Sequence, residues 1–173
     1  MKTYKIYLIL TLLLVAFQSK AQFKSAELNV SGLTCSMCSF ATEKALRTLD
    51  FVQDVQPDLN SNLFVITFKP DKTVSIDMIQ EKVKSAGFSV YKLMAVYTFN
   101  SVKISDNYGF TYQGNQYEFL NAGDKTLNGD VKLVFIDKDY VPEGEYKKML
   151  KDSHYKGLAN SGKGDTKVYH VTL

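Results

Sequence analysis

Two hydrophobic periods alternate along residues 26–93. Apolar residues take every second place from Ala26 to Val30, then recur at helical spacing as Cys38, Ala41, Ala45, Leu46 and Leu49. The first pattern predicts a short strand ending at Ser31-Gly32, the second a helix from Ser36 to about Asp50. Phe51–Val55 is apolar and β-prone, Asn60-Ser61-Asn62 reads as a turn, and Leu63–Phe68 is a strand broken by Pro70-Asp71. Ser75 can cap a second helix with Asp77 in its first turn, Ile76, Ile79 and Val83 on one face, and Gly87 at its end. Phe88–Leu93 is the sixth element. Strand, helix, strand, strand, helix, strand predicts an α+β, ferredoxin-like βαββαβ domain over residues 26–93. Both helices then cover one face of a four-stranded antiparallel sheet, and the loop before the first helix lies at the domain edge.

After Ala95 the pattern changes. Strand-like runs at 94–104, 109–120, 131–136 and 167–173 alternate with turn signals, Gln113-Gly114-Asn115 and Asn128-Gly129 being the clearest. Residues 143–151 can form one short helix, and 160–165 is a polar loop. Residues 95–173 are therefore expected to form a second, small, mostly-β domain, with an OB-like barrel as the model. The aromatics from Tyr97 to Phe119 are assigned to its core.

Residues 1–21 read as a cleaved secretory signal: Lys2 and Lys5, an apolar run from Ile6 to Phe17, then Ser19-Lys20-Ala21 with small residues at the cleavage positions. The apolar run is shorter than the ~20 residues that span a bilayer. The mature chain should begin near Gln22, in the periplasm or secreted, without membrane insertion. Of 21 basic residues against 18 acidic, Lys2, Lys5 and Lys20 fall in the leader, so the mature chain has no net charge. Nucleic-acid binding is left without electrostatic support.

The chain has two cysteines, Cys35 and Cys38, in Gly32-Leu33-Thr34-Cys35-Ser36-Met37-Cys38. A bridge between them closes too short a loop to stabilise much. Two thiolates where a loop opens into a helix make a soft-metal site, and the helix N-terminus favours the ionised sulfur. Copper(I) suits two thiolates best, mercury(II) next, while zinc prefers four ligands. Gly32 and Thr34 give the loop its flexibility. Met37, between the cysteines, is either a thioether ligand or a side chain facing solvent or a docking partner. His170 alternates with apolar neighbours and reads as structural. His154 lies in a polar stretch. Asp137, Asp139, Glu143 and Glu145 lack the spacing of a calcium loop, since Val141 and Pro142 stand where a ligand and a glycine are needed.

Leu28–Val90 resembles the heavy-metal-associated domain of copper chaperones, of metal-transporting P-type ATPases and of the periplasmic mercury-binding protein. The family motif Gly-Met-Thr-Cys-x-x-Cys stands here with Leu33 for Met. Val52-x-x-Val55, Phe68-Lys69-Pro70 and Ala86-Gly87-Phe88 fall where the family has related residues. The resemblance implies a core position for Leu33 and a place for Phe88 against the metal loop, shielding it. Pro57 and Asn60-Ser61-Asn62 depart from the family's usual loop, far from the sulfurs.

These readings predict an exported protein that binds copper(I), or a related ion, through Cys35 and Cys38. It would scavenge the ion or pass it by thiolate exchange to an envelope transporter or acceptor. No acid, base or nucleophile constellation is visible, so it is not expected to be an enzyme. Two alternatives stay open. One is a thiol–disulfide exchange protein using the same cysteines, although the chain has no tryptophan before the motif and lacks that fold's companion proline. The other is a partner-binding module acting through residues 95–173.

Overall fold

The computed structural model describes residues 22–160 and 166–173. The expected leader at 1–21 and residues 161–165 of the polar loop lie outside the described residues. Strand β1 (Phe23–Ser31) leads into helix α1 (Ser36–Arg47), followed by β2 (Val52–Asp58), β3 (Leu63–Phe68), helix α2 (Ile76–Ser85) and β4 (Ser89–Ile104). The first four strands stand in the order β2-β3-β1-β4, all antiparallel. Alternate residues of β1 (Ala26, Leu28, Val30) and β3 (Phe64, Ile66, Phe68) meet Leu46 of α1 and Ile76, Ile79 and Val83 of α2 in one core. This is the ferredoxin-like arrangement.

Helix ends follow local chemistry. Ser75 Oγ accepts the Met78 N–H at 3.3 Å, the cap read from the sequence. Helix α1 stops three residues short of the expected Asp50. There the Thr48 hydroxyl donates to the Ala45 carbonyl at 2.7 Å, an alternative to continuing the helix.

Strand β4 does not stop at Leu93. It runs on to Ile104 with no Gly or Pro to break it, so the boundary expected at 93–95 lies inside one strand. On the side away from β1 it pairs with β7 (Lys125–Phe135). The remaining elements are β5 (Gly109–Tyr112), β6 (Asn115–Phe119), helix α3 (Glu143–Met149), a 3₁₀ stretch (Ser153–Ala159) and β8 (Val168–Thr172). Among the described residues, eight strands form one open sheet, β2-β3-β1-β4-β7-β8-β6-β5, in which β8 runs parallel to β6. The OB-like barrel is corrected accordingly. A barrel needs its end strands paired, whereas β2 and β5 are both edges here. The hollow of the sheet is filled by aromatic side chains. Phe110 stacks on Tyr117 with ring centres 5.1 Å apart, and Tyr97 and Phe99 reach Phe110 from β4 at 4.9 and 5.4 Å.

Gln113-Gly114 is the predicted hairpin turn, with both residues at positive φ and Tyr112 opposite Asn115. Asn128-Gly129 is not a turn. It lies within β7 where the register against β4 shifts between Phe99 and Val102. Gly129 (φ 73°) and Ser101 (φ 50°) take up the left-handed conformations, and Asn128 Oδ1 accepts the Ser101 N–H at 3.3 Å. The Asn-Gly pair serves a bulge.

On the other face of the sheet, Leu120, Ile136 and Leu158 form a smaller core with Tyr146 and Met149 of α3. On the helix face, Asp77 of α2 accepts hydrogen bonds from the Tyr140 hydroxyl and the Lys167 ammonium, tying the first half to the second. Among the described residues no helix is long and apolar enough to cross a membrane.

Candidate functional site

Gly32 leaves β1 at φ 89°, a backbone region that disfavours side chains. Leu33 then turns inward and is buried, while Thr34 and Cys35 are exposed. Cys35 is itself the N-cap of α1, with extended backbone angles. Its Sγ accepts the Cys38 N–H at 3.3 Å, and its carbonyl accepts the N–H groups of Cys38 and Ser39. A sulfur thus occupies the position usually held by a capping oxygen. Cys38 follows within the first turn, half-buried against the core. Thr42, fully buried, donates its hydroxyl to the Cys38 carbonyl at 3.1 Å.

Both cysteines are free thiols, and their acidities diverge. The Cys38 thiol and amide hydrogen-bond to Cys35 and hold its pKa below the ordinary thiol value. The same side-chain bond, with partial desolvation and the neighbouring charge, pushes Cys38 up. The pair therefore ionises first at the exposed sulfur.

Phe88, half-buried, brings its Cδ1 to 3.6 Å from where a Cβ on Gly32 would lie, so the ring lies against the loop. Met37 is 71% exposed and Phe40 57%, leaving an uncovered apolar flank beside the sulfurs. Cys35 also borders a hollow of about 210 Å³ lined by Thr34, Ser36, Ser39, Leu59 and Asn62. Among the described residues, no three His, Cys, Asp or Glu side chains converge as a metal cage.

The other candidates lie in the second half. His154 is exposed and its Nδ1 is 2.8 Å from Asp152 Oδ1. His170 is fully buried, with Nδ1 2.7 Å from Asp137 Oδ1, and its backbone N–H donates to the same carboxylate. Glu143 and Glu145 belong to α3. The capping role of Cys35 and the Thr42 hydroxyl bond were not legible in the motif. The threonine four residues after a cysteine in a helix is the only signal the latter left.

Fold and site together define a ferredoxin-like α+β protein with an exposed dithiol on its first strand-to-helix loop. The heavy-metal-associated domain model matches residues 27–89. The chain is 30% identical over 63 residues to the copper chaperone CopZ of Staphylococcus haemolyticus, covering 36% of this chain and 91% of that protein. It is 30% identical over 75 residues to the mercuric transport protein periplasmic component of Shewanella putrefaciens, covering 43% and 81%. It is 34% identical over 73 residues to the probable copper-transporting ATPase HMA5 of Arabidopsis thaliana, covering 42% of this chain. The chain belongs to the heavy-metal-associated domain family. It spans 7% of the length of that ATPase, and residues 95–173 carry no family match.

Proposed function

We propose that this protein carries a soft metal ion, copper(I) before mercury(II), on the sulfurs of Cys35 and Cys38 and hands it to a partner. The observation behind this reading is the exposed, acidified Cys35 thiol with a second thiol one helical turn on. Binding releases the remaining thiol protons. Two thiolates without a third protein ligand favour an ion content with low coordination, which argues against zinc. The names of the relatives, a copper chaperone and a mercuric transport protein, agree with this choice. Transfer is a ligand exchange: an incoming partner thiolate bonds to the metal, one of the two cysteine sulfurs leaves, and the second follows. No redox step is involved. Reading residues 1–21 as a leader, as the sequence suggests, supports work in the periplasm or at the cell exterior, with an envelope transporter or acceptor as partner. The protein is read as a carrier and not as an enzyme.

A copper(I) titration of reduced residues 22–173 against a chromogenic chelator tests the reading, beside a Cys35→Ser/Cys38→Ser variant. One ion withdrawn from the chelator per chain, and none by the variant, is expected. Failure of the native chain to compete would overturn it. The split thiol acidities also suit thiol–disulfide exchange. A strongly oxidising reduction potential, with no metal retained, would favour that second reading.

A further inference from the structure

Strand β4 has β1 along one side from Ser89 to Tyr97. Along its other side β7 begins only at Leu93, opposite Phe135. Among the described residues, Ser89–Lys92 thus has no strand on that side. The chain beyond Phe135 is drawn away instead. The Ile136 N–H donates to the His170 carbonyl, Asp137 binds the His170 backbone and ring, and the Tyr140 N–H closes a turn onto Asp137. Residues 138–143 become a wall facing the open edge.

Between edge and wall lies a groove of about 490 Å³. At Tyr91 and Val141 it meets a second hollow of about 430 Å³ over Val134, Ile136 and Met149. Tyr91 is 54% exposed within it. The other end is lined by Ser31 and Phe88, the residue before Gly32 and the ring against the metal loop. Lys84, Lys92 and Lys138 are balanced by Asp139, Glu143 and Glu145, so the groove has no charge bias. A nucleic acid or a strongly charged tail gains nothing there.

A free strand edge demands main-chain partners, and the apolar patches of Tyr91 and Val141 within an otherwise mixed lining select side chains at alternate positions. We propose that this groove takes an extended, near-neutral segment of a partner protein. The segment adds to Ser89–Lys92 as a short strand in line with β7, and its apolar side chains rest on Tyr91 and Val141. The bound partner then reaches Ser31 and Phe88, at the foot of the loop that carries Cys35 and Cys38. That last consequence rests on the metal-transfer reading; the strand addition does not.

The test uses residues 22–173 carrying Cys35→Ser/Cys38→Ser, so that neither metal nor disulfide contributes. Phage-displayed random decapeptides are selected on it, and a binder is made with native and with alternately N-methylated backbone. We expect binders with apolar residues at every second position. Binding should slow amide hydrogen exchange in Ser89–Lys92 at least tenfold. N-methylation in one of the two registers should abolish binding. Tyr91→Glu, at an exposed position, should weaken binding at least tenfold with the melting temperature unchanged. Three results would overturn the proposal: no enrichment over the Tyr91→Glu protein, binding without protection of Ser89–Lys92, or a peptide-free dimer protected at those amides. A failed copper titration leaves every one of these readouts standing.

Discussion

At Cys35 a sulfur does what serine or aspartate oxygens do at most helix starts, accepting an N–H of the first turn. Capping and ionisation reinforce each other there, because a thiolate accepts that bond better than a thiol. Iodoacetamide should therefore alkylate Cys35 ahead of Cys38, with a midpoint below that of an ordinary thiol. Replacing Cys38 by Ala removes the donated thiol hydrogen, so the Cys35 midpoint should rise; mass spectrometry against pH reads both. Gly32 raises a different question. A Cβ would have ordinary room, 3.6 Å from Phe88, yet φ is 89°. Gly32→Ala should then cost about 1–2 kcal/mol through backbone strain alone, measurable by urea unfolding.

The elements of the first half could be read from the sequence because each buries one face. Period-two runs in β1 and β3 and the Ile76, Ile79, Val83 stripe of α2 leave little choice of partner. In the second half local signals had two uses. Asn128-Gly129 offers left-handed backbone equally to a hairpin or a bulge, and the pairing of β4 with β7 decides for the bulge. The open sheet depends on β8 lying beside β6, a choice made by residues about fifty positions apart that leaves no local mark. The site divides the same way: the dithiol motif is plain in the sequence, whereas its hydrogen bonds to backbone and to Thr42 arise only from the folded loop and helix start. Phe135 joins the aromatic cluster at full burial, against Tyr117 and Tyr169. Phe135→Ala should cost about 3–5 kcal/mol, read as a lowered urea midpoint, with the far-ultraviolet spectrum retained at low denaturant.

One core runs from Leu46 to Tyr169 across both halves of the molecule, so residues 22–173 should unfold in a single transition by fluorescence and circular dichroism alike. Two coincident curves are expected; two separated midpoints would mean that β4 couples the halves only weakly. Asp77 contributes to that coupling. Burial raises its pKa, but Lys167 and Tyr140 outweigh this and hold it below the usual 3.8. A depressed carboxylate adds stability above its unfolded pKa and loses it as pH falls through the folded one. Asp77→Asn should thus cost about 1 kcal/mol at pH 7, discounted for partial exposure. The difference from the native chain should begin to shrink as pH falls towards 3.8, the unfolded value, and vanish only below the lower folded pKa. The position of β8 between β7 and β6 has a further consequence, in time. A ribosome making about 5–20 residues per second needs several seconds after Phe119 to reach Val168. Throughout that interval the β5–β6 hairpin, with Phe110, Tyr117 and Phe119, has no strand to join. The nascent chain carries a hairpin whose β6 edge stays unpaired until the late-made β8 arrives, and that interval is where a holding chaperone would act.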